Sequence, residues 1–496
     1  CAANWRIYRT TNNVPLTTWT PVPLQRADLV THDASNNIYY YELVFTAPQS
    51  DAFFKAVNMV GAALADPTIL SVQVTGIDEP DIIKTDGQEI YYSQEQNDYY
   101  AEPMVFRGEG ISLEENSKIA PPRPPQSING IKLIKAFPPA SLGLDGKIDK
   151  VGEMLLVDNL LVVFAQNYNY ATAQQIYGFD VTSAQNPVEK WKIELAENSY
   201  IVSSRLYQKK LYLITRQSVN YDNPCPIKPL TVNGKTWEIG CADIYHPITP
   251  SPIDSTYQAM LIEPASGNVE KNISFVGQSG QTVTYMSTSN LFVTYPLAED
   301  MVVLMLDFIN SKAKDLFPAA IVDKMNKLKD YDISQQTKLT EIMLLFERHY
   351  SSLSNDDRLK LENEFNNRGQ SYQKEHLRDL TSTAIIKISL ADFAVSASGK
   401  VPGNLLNQFS LDEYTGNLRV ATTVGESGNG FWFDRSQSLN DIYILDGSLA
   451  TVGSLLDLGQ GERIYSARFI ADKGYLVTFR QTDPFYILDL ADPKNP

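Results

Sequence analysis

Three carboxylates set close together are the first residues of this 496-residue sequence that could do chemistry. Asp78, Glu79 and Asp81, with Asp86 close behind, crowd hard oxygen donors into one stretch, the donor type that weak extracellular Ca²⁺ sites use. Their spacing lacks the regular loop of known calcium motifs. A structural reading competes with it, in which strand-end aspartates bond backbone N–H groups or pair with Lys84. Calcium is the one cofactor these residues leave open, and no other is expected.

Sulfur comes next. The three cysteines are Cys1, Cys225 and Cys241. Cys225 and Cys241 flank a short segment with an Asn233-Gly234 turn, and a bond between them would contribute about 3 kcal/mol by loop-closure entropy. Two unrelated buried thiols are the alternative, and zinc fits less well because His246 is the only further ligand in reach. A disulfide points outside the cytoplasm. Cys1-Ala2-Ala3-Asn4 reads like the start of a lipoprotein cut before its lipid-bearing cysteine, and a chain boundary that falls on cysteine is the plainer alternative. The expectation is a lipid on Cys1 and an extracellular, cell-surface position, with the membrane touched only through that anchor.

Catalytic signatures are missing. No phosphate-binding glycine loop follows a strand, and no H-E-x-x-H occurs. Gly277-Gln278-Ser279-Gly280 and Gly425-Glu426-Ser427-Gly428 miss the nucleophile-elbow spacing. His32, His246, His349 and His376 are scattered, and the last two are expected on solvated helix surfaces. No catalytic residue is assigned. A net charge of −16 repels a phosphate backbone, so no nucleic-acid partner is expected. Apolar runs such as Met301–Leu306 and the interrupted Phe53–Ala65 are too short to cross a bilayer as helices.

The elements that would position these residues are mostly strands. A polar turn followed by an aliphatic and aromatic run recurs, as in Asp158–Phe164, Gln208–Thr215, Thr415–Thr422, Leu439–Leu445 and Asp472–Thr478. Arg205 precedes Tyr212-Leu213-Ile214-Thr215 by seven positions, and Arg468 precedes Tyr475-Leu476-Val477-Thr478 by the same distance. Asp180 and Asp489 each stand seven positions before a proline, in Asn186-Pro187 and Asn495-Pro496. One strand unit used repeatedly predicts a mainly β chain, a β-propeller of four-stranded antiparallel blades; a β-sandwich with coincident turns is the alternative.

Between residues 300 and 380 the period changes. Leu339, Ile342, Met343, Phe346 and Tyr350 share one helix face, Pro318 can open Ala319–Lys329, and Ser354 with Asp357 forms a capping-box-like start. The spacing predicts a three- or four-helix insertion, read either as a solvated surface or as a partner-binding site. The expected organisation is an N-terminal segment 1–70 with a strand at 37–46 and a short helix at Ser50–Asp66, propeller residues 71–299, the insertion 300–380, and propeller residues 381–496. Pro121-Pro122-Arg123-Pro124-Pro125 is expected to be a stiff loop.

The stretches Val72–Gly87, Val401–Tyr414, Arg419–Thr423, Gly461–Phe469 and the residues from Asp483 onward resemble a prokaryotic family of secreted proteins with a β-propeller distantly related to WD repeats. The likeness spans about Val72–Pro496. It implies a secreted or surface-anchored propeller and brings no catalytic activity to transfer. It also implies longer chains than one ending at Pro496, with the ring left open or completed by other residues. The functional expectation is a non-enzymatic binding or scaffold module for a protein or surface glycan. The alternatives are a filament or surface-layer subunit that self-assembles through exposed strand edges, and a glycan-active enzyme.

Overall fold

The computed structural model describes side chains and backbone over residues 72–94, 130–165, 173–247, 252–297, 300–425, 438–479 and 484–496. For residues 5–10, 20–22, 24–33, 38–45, 53–58 and Ala298 it describes backbone alone. Cys1 and the proline-rich loop lie outside these residues. The chain is mainly β and divides into two compact units, residues 1–217, 225–240 and 259–272, and residues 218–224, 241–258 and 273–496.

Among the described residues from Val72 onward, the strands form six antiparallel meanders. The first sheet runs Ile83–Thr85, Glu89–Gln94, Gly130–Lys135 and Gly143–Ile148. The second runs Gly152–Val157, Leu160–Ala165, Gln175–Asp180 and Val188–Leu195, with the hairpin Ile227–Val232/Lys235–Ile239 added to its edge. The third is Ser199–Tyr207, Lys210–Ser218, Ser255–Glu263 and Asn268–Gly277, with Ile244–Tyr245 parallel to its last strand. The fourth is Val283–Met286, Asn290–Ala298, Thr381–Ser389 and Ala394–Pro402. The fifth is Leu411–Tyr414, Asn417–Val424, Leu439–Leu445 and Thr451–Leu458. The sixth has three strands, Arg463–Ile470, Lys473–Phe479 and Phe485–Asp489. Sheets one, four and five thus have the expected four strands, two and three have more, and six has fewer.

The repeats have the same structural meaning in each copy. Arg205 lies directly across from Tyr212, and Arg468 directly across from Tyr475. Asp180 ends its strand and its Oδ1 accepts from the Thr182 N–H at 3.0 Å; Asp489 does the same for Ala491 at 3.2 Å. The next residue then bonds back to a hairpin turn, Val181 N–H to the Asn159 carbonyl and Leu490 N–H to the Asp472 carbonyl. Tight hairpins place Asp158, Gln208 and Thr415 at positive φ, the geometry that matches strand twist.

Two readings of the sequence change here. The run Leu439-Asn440-Asp441 is not a turn but the start of a strand, and Asn440 and Asp441 are fully buried in it. Cross-strand pairing with Thr423 and Thr422 holds them there, overriding the local turn preference of Asn and Asp. In the N-terminal segment a strand does occupy Ile38–Phe45, but Phe53–Asn58, expected as part of a helix, is a strand paired over six residues with Trp5–Thr10.

In the first unit the second sheet is organised around Trp191, which is 2% exposed and donates from Nε1 to the Pro264 carbonyl at 2.6 Å. Its indole lies flat over two glycines: a Cβ on Gly178 would sit 2.2 Å from the ring and one on Gly267 2.7 Å. Leu155, Val162, Ile176, Ile193 and Leu213 complete this core. The Cys225–Cys241 disulfide forms as expected and brackets the added hairpin, in which Ile227 faces Ile239. In the second unit, Arg419, 2% exposed, stitches sheets five and six: it is bonded to Asp412, donates to the Ala471 carbonyl at 2.6 Å and stacks 5.0 Å from the Phe469 ring.

Because the Trp191 ring cannot move without losing its bond to Pro264, Gly178→Ala is expected to overpack this core and lower stability by about 1–3 kcal/mol. Urea unfolding followed by tryptophan fluorescence measures the loss.

Candidate functional site: a groove on the helical insertion

The carboxylates picked out from the sequence are not gathered into one metal-holding group among the described residues, and Asp78 and Glu79 each face a cation of the chain. Lys84, 5% exposed, donates from Nζ to Asp78 Oδ1 and to the Glu79 carbonyl, both at 2.7 Å. Glu79 Oε1 accepts from the Gln73 N–H at 3.3 Å and lies 3.7 Å from Arg205 Nε. Arg205 is itself buried and donates from Nη1 to Ser203 Oγ and the Ser204 carbonyl. Burial raises the Asp78 carboxyl above its usual range despite Lys84, and burial lowers the Arg205 guanidinium. Asp81 works through its backbone, exchanging hydrogen bonds with Met154 as Asp78 does with Leu206. Asp86 accepts from the Gln88 and Glu89 N–H groups and from Tyr91 Oη. The segment therefore laces the strand beginning at Ile83 to two other sheets of the first unit, and its charges are structural partners.

The second unit carries a more open feature. Strands Asn290–Ala298 and Thr381–Ser389 pair over nine residues, and the expected insertion is the connection of that hairpin. It comprises α1 (Met301–Phe308), α2 (Ala319–Lys327), α3 (Gln335–Ser352), α4 (Asn355–Glu375) and a final turn, α5 (Leu377–Leu380). Three of the helices, α1, α3 and α4, have side-chain caps. Asp300 Oδ1 accepts from the Val302 and Val303 N–H groups, Ser334 Oγ from Thr337, and Ser354 Oγ from Asp357. Pro318 precedes α2 as its extended-ψ entry. Val302, Leu306, Phe308, Met325, Ile342, Phe365 and Tyr372 form a core of the insertion's own.

The insertion is latched at its end. Arg378 in α5 grips Asp441 with two bonds, Nε to Oδ2 at 2.7 Å and Nη2 to Oδ1 at 2.8 Å, and reaches Asp457 at 2.8 Å. The Asp441 side chain is completely buried and also accepts from Tyr443 Oη and the Asp457 N–H. The bond to Asp441 pushes the Arg378 guanidinium further up, and burial beside the same carboxylate pushes the Tyr443 phenol up. Sequence reasoning missed Asp441 because its neighbourhood reads as a turn.

The helix face expected from spacing divides its work. Ile342 is buried and Phe346 packs on the core, while Met343 and Tyr350 line an open groove between α3 and α4. The groove encloses about 540 Å³. Met343, Leu344, Phe346 and Phe365 supply apolar surface, Leu344 being 42% exposed. Glu347 and Glu362 stand on the rim, and Glu362 accepts from Tyr350 Oη at 2.7 Å. Arg358 fixes that end, donating to the Tyr350 and Ser351 carbonyls with its guanidinium over the Tyr350 ring. The two histidines of the insertion are half-buried and bonded rather than solvated. His349 Nε2 meets the Leu316 carbonyl at 3.2 Å, and His376 stacks on Tyr372 with Nδ1 2.8 Å from Asp379.

Both ion clusters can be tested. Lys84→Met leaves the buried Asp78 carboxylate without its cation and is expected to cost about 3–5 kcal/mol in chemical denaturation, with Asp78→Asn in the same chain restoring part of it. Arg378→Met strands Asp441 in the same way, roughly 3 kcal/mol, and should speed amide hydrogen exchange in residues 377–380 ahead of the sheet strands.

Comparison with known proteins places this architecture. The family model described as a β-propeller domain matches residues 71–496. An uncharacterized protein of Archaeoglobus fulgidus is 42% identical over 452 residues, 91% of this chain and 66% of its own length. An uncharacterized protein of Methanocaldococcus jannaschii is 37% identical over 432 residues, 86% of this chain and 60% of its own. The chain thus spans less than two thirds of the length of either relative. Among solved structures, an acylaminoacyl peptidase of Pyrococcus horikoshii aligns with 73% of this chain and 40% of its own at a TM-score of 0.29 and 10% identity. A structure from a study of two prolyl endopeptidases aligns with 84% and 49% at 0.27 and 9%. Repeated meanders, matched turn chemistry and a family match across 71–496 together make this chain a member of the β-propeller domain family.

Proposed function

We propose that this chain is a non-enzymatic binding module of the cell exterior, in which each of the six sheets serves as a propeller blade built on a four-stranded plan and the α3–α4 groove takes a protein partner. The groove is the observation that carries this reading: about 540 Å³ of largely apolar space, the size of a ligand cleft, on helices held by their own core and by the Arg378–Asp441 latch. The disulfide supports placement in an oxidising compartment.

The lining favours a protein over a glycan. Methionine, leucine and phenylalanine give a sugar little to hydrogen-bond, whereas they accept apolar side chains at helical spacing, and Met343 adapts to different shapes. Glu347 and Glu362 put negative charge on the rim, and among the described residues no lysine or arginine is in the lining, although Arg358 lies over the Tyr350 ring at one end. An amphipathic helix with leucines on one face and lysines beside them is the partner chemistry that fits both features.

Titrating the purified chain with a fluorescent Leu/Lys amphipathic peptide tests this. Binding in the micromolar range is expected, weakened about tenfold or more by Leu344→Asp and by Glu362→Lys, with circular dichroism unchanged. No saturable binding, or binding indifferent to both substitutions, would overturn the assignment of the groove; preferential binding of an oligosaccharide there would replace the protein partner with a glycan.

A further inference from the structure

A second, closed space lies behind the floor of the α3–α4 groove. Met343, Phe346 and Phe365 line both, so these three side chains are the wall between them. Met305, Ile309, Met325 and Ile342 close the inner space, a cavity of about 10 Å³. That is close to the smallest space that takes one water-sized group, and its side chains, all apolar, suit a methyl better than a water. Protein interiors are packed with few such voids, because atoms lining a gap lose their contacts on that side. This one sits directly under an open cleft.

The three wall residues differ in their freedom to move. Phe365 meets Phe308 edge-on at 5.2 Å and Phe317 at 5.9 Å. Phe346 lies 5.0 Å from Phe365 and 5.7 Å from Phe317. Shifting either ring would break up this cluster. Met343 is half-buried on α3, and its unbranched, polarisable thioether is the kind of side chain that adapts its shape to a gap. Met305 and Met325 behind it are equally adaptable. Ile309, on the far side of the cavity, begins the π-helical turn Ile309–Ala313, a departure from α geometry that is frequent at functional sites.

Resting on the reading of the groove as the seat of an amphipathic helix, we propose that Met343 is its gate. The methionine methyl drops into the cavity, and the floor it vacates takes one aromatic side chain of the bound helix. The move needs a single methyl-sized space, which the cavity provides without disturbing the ring cluster. The pocket so opened is walled by Phe346 and Phe365, rings that favour an aromatic guest in edge-on or offset contact. The partner is thereby narrowed from any leucine-lysine helix to one with a phenylalanine at the centre of its apolar face.

Two fluorescent Leu/Lys amphipathic peptides, identical but for a central phenylalanine or leucine, read the outcome on the full chain. The phenylalanine peptide is expected to bind about fivefold more tightly. Met343→Ala leaves the pocket open and should tighten the phenylalanine peptide by about threefold, whereas truncating a side chain that merely lines a groove weakens binding. In wild-type chain carrying 13C-methyl methionine, the Met343 methyl should gain nuclear Overhauser contacts to the Met305 and Met325 methyls when the phenylalanine peptide binds. Met343→Ala weakening both peptides alike, with its fold confirmed by circular dichroism, overturns the gate and leaves the groove standing. So does a bound wild-type chain in which those methyl contacts do not change. Absence of binding by either peptide overturns the groove and the gate together.

Discussion

The central strands of the second to fifth sheets are buried on both faces, and much of what is distinctive in the molecule follows from that. Leu161–Phe164, Leu211–Thr215, Ser255–Met260 and Leu418–Val424 are continuous buried runs, not alternations. A strand packed above and below has no solvent side on which to place polar residues, so its composition approaches that of a parallel-sheet strand although its neighbours are antiparallel. Small residues become as necessary as large ones: Gly178 and Gly267 are what let Trp191 lie flat between strands.

Two-sided burial also decides where polar groups can stand. Those inside these strands are stable where they find partners within the fold, and several do. Thr423 Oγ1 bonds Asn440 at 2.8 Å, Thr294 Oγ1 bonds the Val283 carbonyl, and Asp441 collects Arg378, Tyr443 and a backbone N–H. A carboxylate with that many donors is stable in the interior, whereas the same carboxylate without its arginine would not be. The insertion is thereby tied to the sheet by an interaction whose strength comes from burial. The hairpin Asn290–Ala298/Thr381–Ser389 tolerates a connection this long because closure entropy grows only slowly with length and the helices bury a core of their own.

What could be read from sequence was what is local. Hairpin turns at Asp158, Gln208 and Thr415, the Ser354–Asp357 cap, the Cys225–Cys241 bond and the limits of the insertion all depend on residues near each other in the chain. The acidic motif was legible as a cluster and ambiguous in purpose, because only tertiary packing brings Arg205 to Glu79. Asn440 and Asp441 were misread for the same reason: their partners are up to 63 positions away, and nothing beside them announces a buried strand. Phe53–Asn58 joined a sheet through pairing with residues some fifty positions earlier. The groove was half legible. Spacing gave the apolar face of α3, but which of its residues enter the core and which line an open cleft depends on how α4 crosses it.

That division separates stability from function on one helix. Ile342 and Phe346 bury area and so hold the insertion together, at about 25 cal/mol for each Å² removed from water. Leu344, on the same helix and two residues away, stays 42% exposed and contributes correspondingly less. If α3 had only to be a stable solvated surface, glutamate or lysine at 344 would serve as well and would add a favourable helix propensity. Leu344 instead lines the cleft with Met343, Phe346 and Phe365, leaving apolar surface in water that folding does not require. The exposed area at this position contributes little to folding, whereas Arg378, bonded twice to the buried Asp441, fixes the end of the insertion to the sheet.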